Sequence, residues 1–324
     1  MKKILTLTAL GILCGTLTGC MGFPSLFGGY RYANAAQYAV GDFEYAADAV
    51  SRVCIHWTSG TVELVRGEGE TLSVSESGAL LTDPQKLHWK LADGTLYIEF
   101  AASGYVGSFP LGAKQLRVEL PDGIALEVEA VSAAVQADAL TLDTVKLGTT
   151  SGSVQLETLT AGKLKLGSVS GAIRLGSVET REKLEISTTS GAVRAESLHA
   201  AALKIGTVSG KIELDEAVTA GDCEFSTTSG AIDASRLECA EAEAKTVSGS
   251  VTLGLAVCAD AEVKTTSGKV RLALLDGLGA TVDYDTTSGK LDCGDYRVSG
   301  GKPTFGDGAC SVAVKTVSGG LTVE

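Results

Sequence analysis

From about residue 131 to the C-terminus, one arrangement of apolar and polar positions returns roughly every twenty residues. The phrase Thr-(Thr/Val)-Ser-Gly marks each repeat, with serines at Ser151, Ser170, Ser190, Ser209, Ser229, Ser248, Ser267, Ser288 and Ser318. The glycines follow at Gly152, Gly171, Gly191, Gly210, Gly230, Gly249, Gly268, Gly289 and Gly319. Successive steps are 19, 20, 19, 20, 19, 19, 21 and 30 residues. A period that steady predicts a stacked repeat in which each turn contacts only its neighbours.

Three residues after each serine the chain is apolar: Val154, Ile173, Val193, Ile212, Ile232, Val251, Val270, Leu291 and Leu321. Two further on it is apolar again, mostly Leu, Ala or Val, while polar Gln155, Arg174, Arg194, Glu213 and Asp233 fall between. This alternation is a strand with one buried face. A second strand precedes the phrase, with inward pairs such as Leu164/Leu166, Leu184/Ile186 and Leu203/Ile205. A short third side is expected near Leu159, Val178, Leu198, Val218 and Leu237.

The expected fold is all-β, a right-handed parallel β-solenoid (β-helix) of about ten turns of 19–20 residues, behind an N-terminal β capping region. Val131-Ser132-Ala133 reads as a degenerate first turn, and the stack would be roughly 45–50 Å long at the usual strand spacing. Parity places the repeat serines inward beside the preceding Thr or Ser, with each glycine turning a structural corner. One outward column then remains at the corner, alternating Thr150, Val169, Thr189, Val208, Thr228, Val247 and Thr266. That argues against an ice-binding face, which needs two threonine columns. In the last step the segment Gly294–Gly308 reads as a loop over the C-terminal end, leaving Leu321–Glu324 as the last strand.

Ahead of the array, short alternating runs at Cys54–Trp57, Thr61–Val65 and Thr71–Val74 are punctuated by Ser59-Gly60 and Ser77-Gly78. Two hairpins are predicted, Leu87–Leu91 with Thr95–Phe100 around Asp93-Gly94, and Gln115–Leu120 with Ile124–Ala130 around Pro121-Asp122-Gly123. Lys2 and Lys3 precede an apolar run from Ile4 to Leu17, an export signal ending in Leu17-Thr18-Gly19-Cys20. That ending resembles a lipobox, in which Cys20 would carry the lipid and become the first mature residue. The expected organisation is a signal peptide over 1–19, a lipid-anchored tether over 20–45, the β capping region over 46–130 and the repeat solenoid over 131–324. The protein is then exported, facing outward, and held to a membrane through Cys20 without spanning it.

Charge narrows the partners. The formal net charge of −12 becomes −14 once Lys2 and Lys3 leave with the signal. With no basic patch, nucleic acid is excluded as a partner. Of the cysteines, Cys54, Cys223, Cys239, Cys258, Cys293 and Cys310 remain beyond the leader and Cys20. No CxxC pair exists, and His56, His88 and His199 do not cluster with them, which disfavours zinc. Cys239 and Cys258 each sit nine residues before a repeat serine and should stack on adjacent turns, as a disulfide or as packed thiols. Glu243, Glu262 and Asp283 read as a solvated acidic column, too few ligands for more than weak calcium binding. No Ser-His-Asp set or phosphate-cradling loop appears. No cofactor and no catalytic residue is predicted, and Trp57 and Trp89 read as core.

The lipobox, the segment Trp57-Thr58-Ser59-Gly60-Thr61-Val62-Glu63-Leu64 and the Thr-x-Ser-Gly-x-(Val/Ile)-x-Leu turns together resemble the bacterial adhesin-like β-strand-repeat family, over roughly residues 40–324. The resemblance implies a non-enzymatic cell-surface lipoprotein that presents its solenoid to an unknown protein or glycan ligand. An envelope-stress or signalling accessory, acting on a partner in its own cell envelope, is the alternative. A polysaccharide-active β-helix enzyme would need carboxylates and aromatics gathered in a groove, which the outward columns do not provide. The family's motifs are structural, so no binding residue carries over.

Overall fold

Apolar residues at every second position give strands that bury one face, and the steady repeat length sets them in register. The structure, a computed structural model, describes residues 31–78, 81–107, 114–294, 296–299 and 301–324; the leader and Cys20 lie outside them. After the phrase, Val154 lies beside Ile173, Ile173 beside Val193, Val193 beside Ile212 and Ile212 beside Ile232, all in parallel. Before it, Leu164, Leu184, Leu203 and Cys223 form the facing column. These side chains are all buried. Each large aliphatic side chain so enclosed contributes about 1.5–3 kcal/mol. The fold is a parallel β-solenoid. On its third side the buried residues are Leu159, Val178, Leu198, Ala217 and Leu237. Ala217, and not Val218, is the inward residue there, because it is Ala217 that lies beside Leu198.

Parallel stacking does not begin at Val131. Arg52–Trp57 lies in parallel between Thr95–Glu99 and Ala125–Ala130. Thr61–Arg66 likewise lies beside Gln115–Leu120 on one side and residues 134–137 on the other. The first turn in the chain is therefore the second in the stack. The hairpin expected around Pro121-Asp122-Gly123 does not form, since its two strands belong to different columns and different turns, Gln115–Leu120 in the outermost turn and Ala125–Ala130 beyond the turn of Arg52–Trp57 and Thr61–Arg66. Gly123 is at φ 79°, so the same turn chemistry here serves a corner. The other hairpin is present, His88–Ala92 against Thr95–Glu99, with Asp93 and Gly94 both at positive φ.

The cap proper is antiparallel and includes residues expected in the tether. Ala39–Val40 pairs with His88–Ala92, and Phe43–Ala46 pairs with Thr71–Ser77. Phe43 stacks on Trp89 at 4.1 Å between ring centroids, and the Trp89 indole donates to the Gly41 carbonyl. These aromatic contacts account for why a stretch without a steady period is ordered.

The far end is interleaved too. Cys310–Thr316 lies in parallel between Asp260–Lys264 and Ala280–Thr286. Leu321–Val323 lies between Val270–Leu274 and Leu291–Cys293. The last strand in sequence is thus one turn inside the end of the stack. The segment expected as a loop carries a hairpin, Arg297–Ser299 with Lys302–Phe305. Its second strand pairs antiparallel with Ala280 and Thr281 and covers part of the outermost edge, as exposed sheet edges require.

Candidate functional surface

The corner is built from the phrase itself. Its first hydroxyl residue points inward, and in most turns its Oγ accepts the N–H of the glycine three residues on, for example Thr188 from Gly191, Thr207 from Gly210 and Thr265 from Gly268, at 2.9–3.0 Å. This local turn, more than bonding from turn to turn, satisfies most of the buried hydroxyls; Thr149 finds no partner among the described residues, and Thr227 also donates to the Val208 carbonyl one turn before. The glycine is buried against the preceding corner. A Cβ on Gly171, Gly210, Gly249 or Gly268 would fall 1.7–1.9 Å from the carbonyl oxygen of the glycine one turn before.

The repeat serines do not point inward. Ser151, Ser170, Ser190, Ser209, Ser229, Ser248, Ser267, Ser288 and Ser318 are all exposed. Two consecutive residues of each phrase face out, so the alternation shifts between them, one step before the glycine, because the Thr–Gly hydrogen bond folds them outward together. Two adjacent outward columns therefore run along this corner, and the single-column argument against a hydroxyl face does not hold. Threonine nevertheless occurs only at every second turn.

Backbone bonds tie the columns into one ridge. Ser170 N–H donates to Thr150 O, Ser190 to Val169 O, Ser209 to Thr189 O and Ser229 to Val208 O, at 2.8–3.0 Å. The ladder continues with Ser318 donating to Thr266 O and Ser288 to Val317 O, both at 3.0 Å. Spatial order is therefore Thr266, Val317, Thr287. The column reads Thr58, Val131, Thr150, Val169, Thr189, Val208, Thr228, Val247, Thr266, Val317, Thr287, alternating without a break. Along the chain that alternation fails at the interleaved C-terminal end, where Thr287 follows Thr266; in the stack it holds. Beside it lie small residues over the middle turns, Gly148, Gly167, Ser187 and Gly206 on one flank and Ser153, Ala172 and Ala192 on the other.

On the strand column before the corner, a groove of about 430 Å³ is lined by Asp222, Glu224, Glu241, Glu243, Asp260 and Glu262, together with Cys223. The acidic column continues from Glu262 to Ala313, not to Asp283, because the C-terminal strand lies between them. Asp283 instead pairs with Lys302 at 2.8 Å. Glu224 pairs with Lys204 at 2.7 Å, Glu243 with Lys245, and Glu262 with Lys264 at 2.5 Å and Lys315 at 3.0 Å. The hydrogen bond from Lys264, opposed by partial burial and reinforced by Lys315, holds the Glu262 carboxyl below its usual range. Among the described residues no three His, Cys, Asp or Glu side chains converge on one point that could hold a metal ion.

Two buried polar groups lie under the first turns. Lys114 is 2% exposed, pairs with Glu76 and lies over the rings of Trp57 and Phe100. Burial pushes its ammonium pKa down, opposed by Glu76. His56 Nδ1 contacts Glu99 Oε1 at 3.0 Å, and its Nε2 lies 3.8 Å from Glu129. Burial raises the Glu129 carboxyl, opposed by His56 and reinforced by Glu127. Sequence reasoning missed both groups, since their charged partners are 38 or more residues away and carry no local pattern.

The family described as Toastrack DUF4097 matches residues 50–259, well over half of the chain. No curated protein matches. Among solved structures, a protein of Parabacteroides distasonis provisionally described as lipid-binding is 14% identical with a TM-score of 0.40, covering 87% of this chain and 96% of that one. A provisionally assigned adhesin of Bacteroides fragilis is 13% identical, TM-score 0.32, covering 88% and 97%. A provisionally assigned cell adhesion protein of Clostridium sporogenes is 9% identical, TM-score 0.25, covering 88% and 99%.

Proposed function

The chain belongs to the Toastrack DUF4097 family, and from that premise we propose that it is a non-enzymatic, adhesin-like surface protein whose corner ridge contacts a protein or glycan ligand. The observation that carries this reading is the Thr/Val alternation, kept in the stack where it fails along the chain. Threonine and valine are nearly isosteric, so packing alone has little reason to choose between them at exposed positions. A regular surface seen by a partner does. The ridge is uncharged over its middle turns and held rigid by the backbone ladder, so little ordering cost opposes binding.

The leader supports export, and Leu17-Thr18-Gly19-Cys20 supports a lipid anchor. Among the described residues no helix is long and apolar enough to cross a membrane. Replacement Cys20→Ser is expected to move the protein from the membrane fraction to the soluble one and to abolish incorporation of labelled palmitate.

The ridge is tested by binding to a panel of host matrix proteins, mucin glycans and the producer's own wall and membrane fractions, comparing the native protein with Ser209→Lys and Thr228→Lys. Saturable binding to a host or glycan component, weakened by both variants, is expected. Capture by the producer's own envelope alone would favour the envelope-stress accessory. A hydrolytic or lyase activity lost on changing one carboxylate would overturn the non-enzymatic reading.

A further inference from the structure

Four cysteines on four successive turns form a continuous row. Cys223 and Cys310 are fully buried, and Cys239 and Cys258 are 4% and 5% exposed. All are free thiols. Cys239 neighbours both Cys223 and Cys258, and Cys258 neighbours Cys310, while the hydrogen bonds of Cys223 and Cys258 run to Thr219 Oγ1 and the Asp260 carbonyl. Cys310 reaches the row only because the C-terminal strand lies beside Asp260–Lys264. Cys239 and Cys258 hold equivalent positions on parallel turns, two residues before the paired Glu241 and Asp260.

We propose that this row binds a soft monovalent d¹⁰ cation, of the copper(I) or silver(I) class, between neighbouring sulfurs. Thiolates select such ions over hard cations. Two-coordinate binding needs only two sulfurs on opposite sides of the ion, which a linear row offers and a tetrahedral zinc site does not. A disulfide fits the central pair less well, since in-register parallel neighbours sit about 4.8 Å apart whereas bridged Cβ atoms lie about 3.8 Å apart.

The surroundings agree with a cation. The acidic groove opens on Cys223, and Asp222, Glu241 and Asp260 lie on successive turns within two residues of Cys223, Cys239 and Cys258. A cleft lined by one sign of charge concentrates the opposite ion at its mouth. Each ion bound between two sulfurs displaces whatever thiol protons those sulfurs still carry, so affinity should rise with pH.

The test is anaerobic titration of the reduced protein with copper(I) in competition with a bicinchoninate chelator. It is read by the ultraviolet thiolate-to-copper band and by native mass spectrometry. The expected result is copper uptake that Cys258→Ser and Cys239→Ala each weaken at least about tenfold, with Cys293→Ser unchanged. Circular dichroism confirms that the variants fold, and if one does not, the other carries the comparison. No uptake against the chelator, equal uptake by both row variants, or recovery of the four thiols as disulfides in the freshly isolated protein would overturn the proposal.

Discussion

A methyl group added at Gly210 would sit 1.9 Å from the Gly191 carbonyl oxygen, inside a ladder that cannot widen at one turn alone. Gly210→Ala is therefore expected to cost at least about 2 kcal/mol, whereas Ser209→Ala next to it should stay within about 0.5 kcal/mol; urea midpoints decide. A carboxylate at Ile212, fully buried, should unfold the surrounding turns, while Lys211→Asp on the exposed edge should leave circular dichroism and melting nearly unchanged. Glu129 gives the pH dependence. Its carboxyl is raised in the folded state, so the native protein binds the proton more tightly than the unfolded chain does. Stability from this group is complete below the ordinary carboxylate range and falls as pH rises through the raised value. Glu129→Gln should flatten that stretch of the melting temperature against pH. At this scale the inward aliphatic columns were legible, because alternation reports burial directly. The orientation of the serines was not, since a hydrogen bond between Thr and Gly, invisible to parity, turns two neighbours outward together.

Strand existence was legible wherever alternation ran for four residues or more, but pairing was not. Asp93-Gly94 and Pro121-Asp122-Gly123 carry similar turn chemistry, yet one closes a hairpin and the other rounds a corner, because pairing depends on which edge the following strand meets. The same limit hid the lysine that seals the first corner. Lys114 holds the position that glycine or alanine holds in the stacked corners above it, and its carbonyl would lie 1.9 Å from a Cβ on Gly60. Lys114→Met alone should cost about 3–5 kcal/mol by leaving Glu76 buried without its cation. Lys114→Met with Glu76→Leu should recover most of that loss, measured as a double-mutant cycle.

Across the whole molecule, the repeat length announced a stack, but the order of its turns came only from the register. The family match takes in the reordered turns at the N-terminal end and ends at residue 259, before those that change order at the C-terminal end. Removing residues 309–324 would take out the penultimate turn of the stack and leave the turn carrying Ala280–Thr286 and Leu291–Cys293 without a parallel neighbour. The expected outcome is proteolytic loss of everything beyond about residue 275 with the remaining turns intact, seen by limited digestion and mass spectrometry. The interleaving at both ends also changes how the rod comes apart. An array whose outermost turns were its chain ends would unravel one turn at a time, each turn costing only its single interface. Here each outermost turn is continuous in sequence with segments deeper in, and the first and last parallel turns of the sequence are each clasped one turn inside. Freeing Cys310–Thr316 and Leu321–Val323 thus breaks two interfaces at once. Native-state hydrogen exchange should find protection at the tips close to that of the middle, with no gradient of fraying, as in cloth whose last row has been bound off.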